Sequence, residues 1–323
     1  MATRKPDTPR TAGQAAKAAL LQVMRERVAL WADVDAELGR MIEQALLTVL
    51  GQLARAPSDY QQWVLPRLVE GLRRVGDELA VQLGTAAAGG LRQAWQLGER
   101  AVSLPLMAAA PFELQGSASA ALGQVDLRQL RALQAVNTDR ISGATAEMVQ
   151  QINRQLGQVV LGVQSPFDAM QAVQTLMPEK TKAQVRGIVT SNLGTAFNTA
   201  SWQALAAQAA RDPEIRKQWR RSGKLHSRWN HDLADGQVQP VDQPFVLVSA
   251  DGRSQVELMY PADPAAPVGE VIHCGCVALP WKAGWKMKRA TIQAYSPAEI
   301  AARREKAAQA EGKRLPKTGV GKR

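Results

Sequence analysis

Five side chains able to hold a metal or activate a nucleophile, His226, His231, His273, Cys274 and Cys276, fall within 51 consecutive positions of a 323-residue chain that has only two cysteines and three histidines. The stretch EVIHCGC, residues 270–276, sets His273, Cys274 and Cys276 side by side. Imidazole and thiolate are the usual donors of a structural zinc, which takes four of them in a tetrahedron. His231, His273, Cys274 and Cys276 are therefore candidate zinc ligands. A C-x-C pair on a strand directs both sulfurs to one face. Zinc modules more often use a C-x-x-C knuckle, however, and there is no second cysteine pair. The competing readings need no metal or other cofactor. In one, the cluster simply packs and hydrogen-bonds. In another, a thiolate is activated by an imidazole, although His273 and Cys274, as strand neighbours, would face apart. A disulfide across two positions would be strained, and a reducing compartment opposes it.

The elements that must position this cluster are mostly helical. Residues 14 to about 103 read as helices broken by ARAPSD and by GTAAAGG, with apolar stripes at Leu20, Leu21, Met24 and Val28 and at Leu46, Leu47, Leu50 and Leu53. A break at SLPLMAAAPFELQGSAS precedes one long amphipathic helix carrying Ile141, Met148, Ile152, Leu156 and Val159. Gly162 follows it. SPFD then opens another helix, with Ser165 as cap, Pro166 at the first helical position and Asp168 three residues after the cap. A third helix is expected from about Thr181, with Val185, Ile188, Val189, Leu193, Ala196 and Phe197 on one face, ending near Pro213. From Arg220 to Trp281 the chain is rich in Gly, Pro and Asp, with short β-prone runs such as FVLVSA and VIHCGCVAL. SPAE at 296–299 predicts a last charged helix over 297 to about 311.

The expected fold class is thus α+β. A helical partner-binding region covers residues 1–110, central helices 111–219, a small β-rich module 220–281 and a basic tail 282–323. That tail holds 12 Lys and Arg against 3 Glu, so most of the formal net charge of +11 lies there. It suits non-specific contact with double-stranded DNA, through Lys282, Lys286, Lys288, Arg289, Lys313, Arg314, Lys317, Lys322 and Arg323. The apolar stretch 101–112 carries two prolines and is well short of the about 20 residues a membrane helix requires. The basic opening, MATRKPDTPR, leads into an amphipathic pattern rather than the apolar core of a secretory signal. Both point to a cytoplasmic protein with reduced cysteines and no membrane. No phosphate-binding G-x-x-x-x-G-K-[ST], dinucleotide fingerprint or H-E-x-x-H occurs. LPKTG near the end lacks the apolar segment a sorting signal needs.

Taken in order, INRQLGQVVLGVQSPFDAMQAV, AQVRGIVTSNLGTAFNTA, KQWRRSGKLHSRWNHDLADGQVQPVDQPF and YPADPAAPVGEVIHCGC resemble the phage head morphogenesis family, the minor head proteins typified by phage Mu protein F. The matching positions are Trp219, Arg228, His231, Asp235 and Gly236, then Asp242, Pro244 and Phe245, then Pro261, and finally Glu270, Cys274 and Cys276. The similarity covers residues 140 to 280. Two departures are His273-Cys274-Gly275-Cys276 in place of an N-C-R-C-like motif, and Val189-Thr190-Ser191 in place of an R-T-E-like triplet. The resemblance implies a minor capsid protein, made in the host bacterial cytoplasm and placed in the virion head, acting in procapsid assembly with the portal protein and the major capsid or scaffolding protein. A different class of reading is an enzyme: a metal-dependent hydrolase or nuclease on His231, Asp235, Cys274 and Cys276, or a toxin-like domain. A third is a pure interaction module bridging portal and coat.

Overall fold

The computed structural model describes residues 11–55, 65–110, 127–222, 228–249 and 254–283, together with 285, 298 and 302. The fold is α+β. Four long helices, α1 (Ala12–Arg55), α2 (Leu65–Ala109), α3 (Leu127–Val160) and α4 (Pro166–Ala209), precede a small set of short strands and single-turn helices. The chain divides into two compact units that interleave in sequence. A helical unit takes Arg25–Leu97 and Asp126–Phe197, and a mixed unit takes Met1–Met24, Gly98–Val125 and Asn198–Arg323.

In the helical unit, α1 buries Leu30, Val34, Leu38, Ile42, Ala45, Val49 and Leu53 at steps of three and four. The face expected from the sequence is met only in part: Leu53 is buried and Leu20, Met24, Leu46 and Leu50 are half-buried, but Leu21, Val28 and Leu47 are exposed. Leucine, valine and alanine lie all round α1, so apolar spacing alone does not single out the buried side. Helix α2 runs unbroken through GTAAAGG, where a break is expected. Two of the three glycines there serve close approach rather than a turn: a Cβ on Gly90 would lie 2.9 Å from Val34 Cγ2, and one on Gly84 3.3 Å from Thr138 Cγ2. The tightest contact is at Gly76, whose added Cβ would meet Val149 Cγ2 at 2.4 Å, whereas Gly89 has open space. Val149 sits within α3, where a β-branched side chain has one favoured rotamer and cannot step aside. Gly76→Ala is therefore expected to destabilise by about 1–2 kcal/mol, and Gly89→Ala to stabilise by about 0.5–1 kcal/mol through helix propensity. Urea denaturation of the two variants checks this opposition of sign.

Helix α3 buries Ile141, Met148, Ile152, Leu156 and Val159, as the spacing predicts. It closes at Gly162, whose φ of +69° allows the Val163 amide to reach Gln158 O at 2.9 Å. Ser165 then caps α4: its Oγ accepts from the Asp168 amide at 3.1 Å and donates to Asp168 Oδ2 at 2.7 Å. The fresh helix start expected at Thr181 does not occur. The buried positions Ala169, Val173, Thr181, Val185, Val189, Leu193 and Phe197 fall on four-residue steps, so one face carries α4 across that point.

In the mixed unit, β1 (Arg216–Arg220) is the central strand of an antiparallel sheet, between β2 (Val238–Pro240) and β5 (Val277–Trp281). It starts upstream of the expected β-rich module, with Trp219 opposite Ala278. A separate hairpin pairs β3 (Phe245–Val248) with β4 (Gln255–Leu258). Trp219, Phe245, Leu247, Leu258, Tyr260, Cys274 and Cys276 form the core between them. The last turns of α4 close one side: Trp202 stacks on Tyr260 at 5.4 Å and donates from Nε1 to Val241 O. The run VIHCGCVAL is not one strand. Val268–Val271 makes a single helical turn, α6, residues 272–276 are irregular, and only then does β5 begin. Of the helix expected over 297–311 only residues 298 and 302 are described, and both are helical. Among the described residues no helix is long and apolar enough to cross a membrane.

Candidate metal centre

Three backbone segments carry the cluster. His231 lies on a one-turn helix, α5 (Trp229–Leu233), and buries there with Asn230 and Asp232. Glu270 projects from α6 and is also buried. Cys274 and Cys276 follow on the irregular stretch leading into β5 and are buried free thiols. A hydrogen bond from Arg228 Nη2 to Ile272 O ties the start of α5 to the end of α6. His273 adopts φ +55°. That left-handed turn ends the extended path expected here and lets Cys274 enter the core while His273 stays exposed.

His231 Nδ1 lies 3.5 Å from Cys274 Sγ and 3.7 Å from Cys276 Sγ, and the three donor atoms all lie within 4.8 Å of one another. On the other side of the ring, His231 Nε2 is 2.7 Å from Glu270 Oε2, which also accepts from Asn230 Nδ2 at 3.0 Å. Backbone amides support the sulfurs, that of Cys276 bonding Cys274 and that of Ser222 bonding Cys276. The Cys276 thiol donates to Cys274 and holds the Cys274 pKa well below the ordinary thiol value, with His231 adding to this against the cost of burial. As that donor, in a buried place, Cys276 is itself pushed well above the usual range. Burial works to lower the His231 pKa, but the contacts with Cys274 and then Glu270 outweigh it and raise the value.

This group can hold a metal ion. Zinc–sulfur and zinc–nitrogen bonds of about 2.3 and 2.0–2.1 Å imply edges of about 3.5–3.8 Å in a tetrahedral site, matching the observed spacings from nitrogen to sulfur. A carboxylate on the far nitrogen of a ligating imidazole is the usual outer partner, fixing tautomer and ring orientation, and Glu270 stands there. Three donors come from the described residues. His226 lies outside them, and His273, expected as a ligand, is not in the group.

The other expected positions build the frame. Trp219 is fully buried with its ring edge-on to His231 and to Phe245, each at 5.3 Å. Asp235 is not a donor to the centre: its Oδ1 accepts from the Arg221 amide at 3.0 Å and lies 3.4 Å from Arg220 Nη1, and burial raises its pKa. Gly236, at φ +90°, turns its amide onto Trp219 O at 2.9 Å, a conformation that favours glycine. Asp242 is exposed, Pro244 half-buried and Pro261 buried. Of the basic positions expected to meet DNA, Lys282 pairs with Asp212 at 2.7 Å and Glu214 at 3.4 Å, so its charge is already matched. The rest, Lys286 to Arg323, lie outside the described residues. Sequence reasoning missed Asn230, the 3.4 Å contact of Arg221 with Asp232, and Asn198 of α4. The signal for Asn198 was a polar side chain beside an apolar stripe.

Lys217 of β1 was also unforeseen. It is fully buried, donates from Nζ to Met259 O at 2.6 Å and sits 4.9 Å over the Phe245 ring. Burial lowers its pKa to about 8, against the upward pull of Asp242 and Asp263. The unfolded chain, with lysine near 10.5, then binds the extra proton between pH 8 and 10.5, so this residue's cost to the fold disappears as pH rises through that window. Lys217→Met is expected to be the more stable form at pH 7, by on the order of 2 kcal/mol, with the gap closing by pH 10. Chemical denaturation of both proteins at the two pH values measures it.

No protein-family model, curated protein or solved structure matches this chain.

Proposed function

We propose that this chain is a minor capsid protein of a tailed bacteriophage, a head morphogenesis protein acting in procapsid assembly, and that a structural zinc on His231, Cys274 and Cys276 staples its mixed unit. The observation that carries this reading is convergence. Trp219, His231, Phe245, Glu270, Cys274 and Cys276, on which the family resemblance rests, come from separate stretches of sequence and meet in one buried network. A bound zinc would cross-link α5 to the segment before β5, in a unit with few regular hydrogen-bonded elements of its own.

Burial favours an architectural over a hydrolytic role. His231, Cys274 and Cys276 are each at most 5% exposed, whereas a hydrolytic zinc keeps a position open to water and substrate. The partners this reading requires are the portal and the coat or scaffolding protein, with double-stranded DNA as a further polyanion for the basic segment beyond Lys282. The test has two readouts. Elemental analysis of reduced, purified protein should give about one zinc per chain, lost in Cys274→Ser/Cys276→Ser. The wild-type chain should co-sediment with procapsids in cells producing the other head proteins, and the doubly substituted chain should not. Zinc without co-sedimentation would leave the staple and remove the assembly role.

A further inference from the structure

Strand β5 lies at an edge of the sheet order β2-β1-β5, so the backbone groups on its outer rim must find partners other than a strand. Helix α4 supplies them. Asn198 Nδ2 donates to Cys276 O at 3.0 Å, and the Ala278 amide donates to Asn198 Oδ1 at 3.3 Å. One turn on, Ser201 Oγ donates to Ala278 O at 3.2 Å. A carboxamide carries the donor and acceptor of a peptide unit in one plane, so Asn198 acts as a single residue of a missing neighbouring strand, and it does so at a cysteine of the metal group. Asn198 is fully buried. Asparagine is a poor helix former, and a buried amide is costly unless bonded, so its place within α4 is explained by what it holds.

We propose that Asn198 is a positioning residue of the metal centre: it fixes the backbone of Cys276–Ala278 against α4 and thereby keeps Cys276 Sγ within reach of Cys274 and His231. This rests on the zinc reading above. Neither α6 nor β1 supplies this restraint, because β1 bonds the opposite rim of β5.

The experiment uses the full chain, loaded with cobalt(II) as a spectroscopic stand-in and then titrated with zinc in competition with a chelator. Asn198→Asp keeps size and the acceptor for Ala278 but loses donation to Cys276 O. Asn198→Ala loses both, and Ser201→Ala touches only the backbone beyond the ligand. Zinc affinity is expected to fall about 10–100-fold in the Asn198 variants, with a changed thiolate-to-cobalt absorption, while Ser201→Ala stays within about threefold of wild type. Wild-type affinity and an unchanged cobalt spectrum in Asn198→Asp would overturn the proposal, even if the melting temperature fell, and would leave the zinc reading standing. If Asn198→Ala does not fold, the near-isosteric Asn198→Asp decides. A wild-type chain that takes up neither metal overturns both.

Discussion

Cys276→Ser is expected to abolish zinc binding and to strip backbone amides of β1 and β5 of their exchange protection, while amides of α3 keep theirs. Serine is nearly isosteric and can still meet the Ser222 amide, but its hydroxyl does not ionise near neutral pH and is a poor zinc ligand. Only two of the three described donors would remain, against the four that a structural zinc takes. Binding free energies of about 10–16 kcal/mol for zinc in small zinc-dependent folds set the upper scale. Here Trp219, Phe245 and Leu258 also bury in the unit, so a loss of several kcal/mol is the expected size. Chelator applied to the wild-type chain should reproduce the exchange pattern of Cys276→Ser, and chelator added to the variant should change nothing further. Because Cys276 holds its proton above the usual range and ligands bind metal deprotonated, affinity should weaken as pH falls. A protected β5 in a zinc-free Cys276→Ser chain would mean that packing alone holds the unit.

Trp219→Ala should cost about 3–5 kcal/mol, the range for removing a large aromatic from a packed core. The residue sits on the central strand, fully buried, and its ring edges meet His231 and Phe245. Removing it empties the space against which the imidazole is oriented, so metal affinity should fall along with stability. Trp219→Phe separates the two effects of the side chain. It keeps an aromatic surface and removes an indole N–H that is buried without an acceptor among the described residues, so about 1–2 kcal/mol is expected, because part of the cavity cost is offset by relief of an unmet donor. Urea denaturation at constant zinc measures both, and equal costs for Ala and Phe would contradict the packing account.

What could be read from the sequence was whatever is local. The capping box at Ser165 and Asp168 and the stripe from Ile141 to Val159 depend on spacing within one helix, and both are present. The two cysteines and His231 were picked out by residue type, and they do meet. What failed depends on partners distant in sequence. GTAAAGG looks like a turn until Val34 and Thr138 are placed against its glycines. Leu21, Val28 and Leu47 look like core because nothing in α1 says which of its apolar faces is covered. EVIHCGC has the composition of a strand, yet His273 takes a left-handed conformation that no strand tolerates, and this sends the imidazole outward and Cys274 inward. Asn198 stands out only as a polar side chain beside an apolar stripe, and what it holds is not legible because its partners, Cys276 and Ala278, lie about 80 residues further on.

The interleaving of the two units sets an order of events during synthesis. The helical unit has all of its residues once Phe197 is made, whereas the mixed unit waits for the segment from Asn198 through β5. At elongation rates of about 5–20 residues per second, that wait is on the order of ten seconds. Throughout it, the first turns of α1 and the last of α2, including Ala16, Val23, Ala101 and Val102 that end up buried, have no finished unit to enter. The nascent chain thus offers a folded helical body with two sticky ends. A chaperone would matter most in that interval, before Cys274, Cys276 and the last strand arrive.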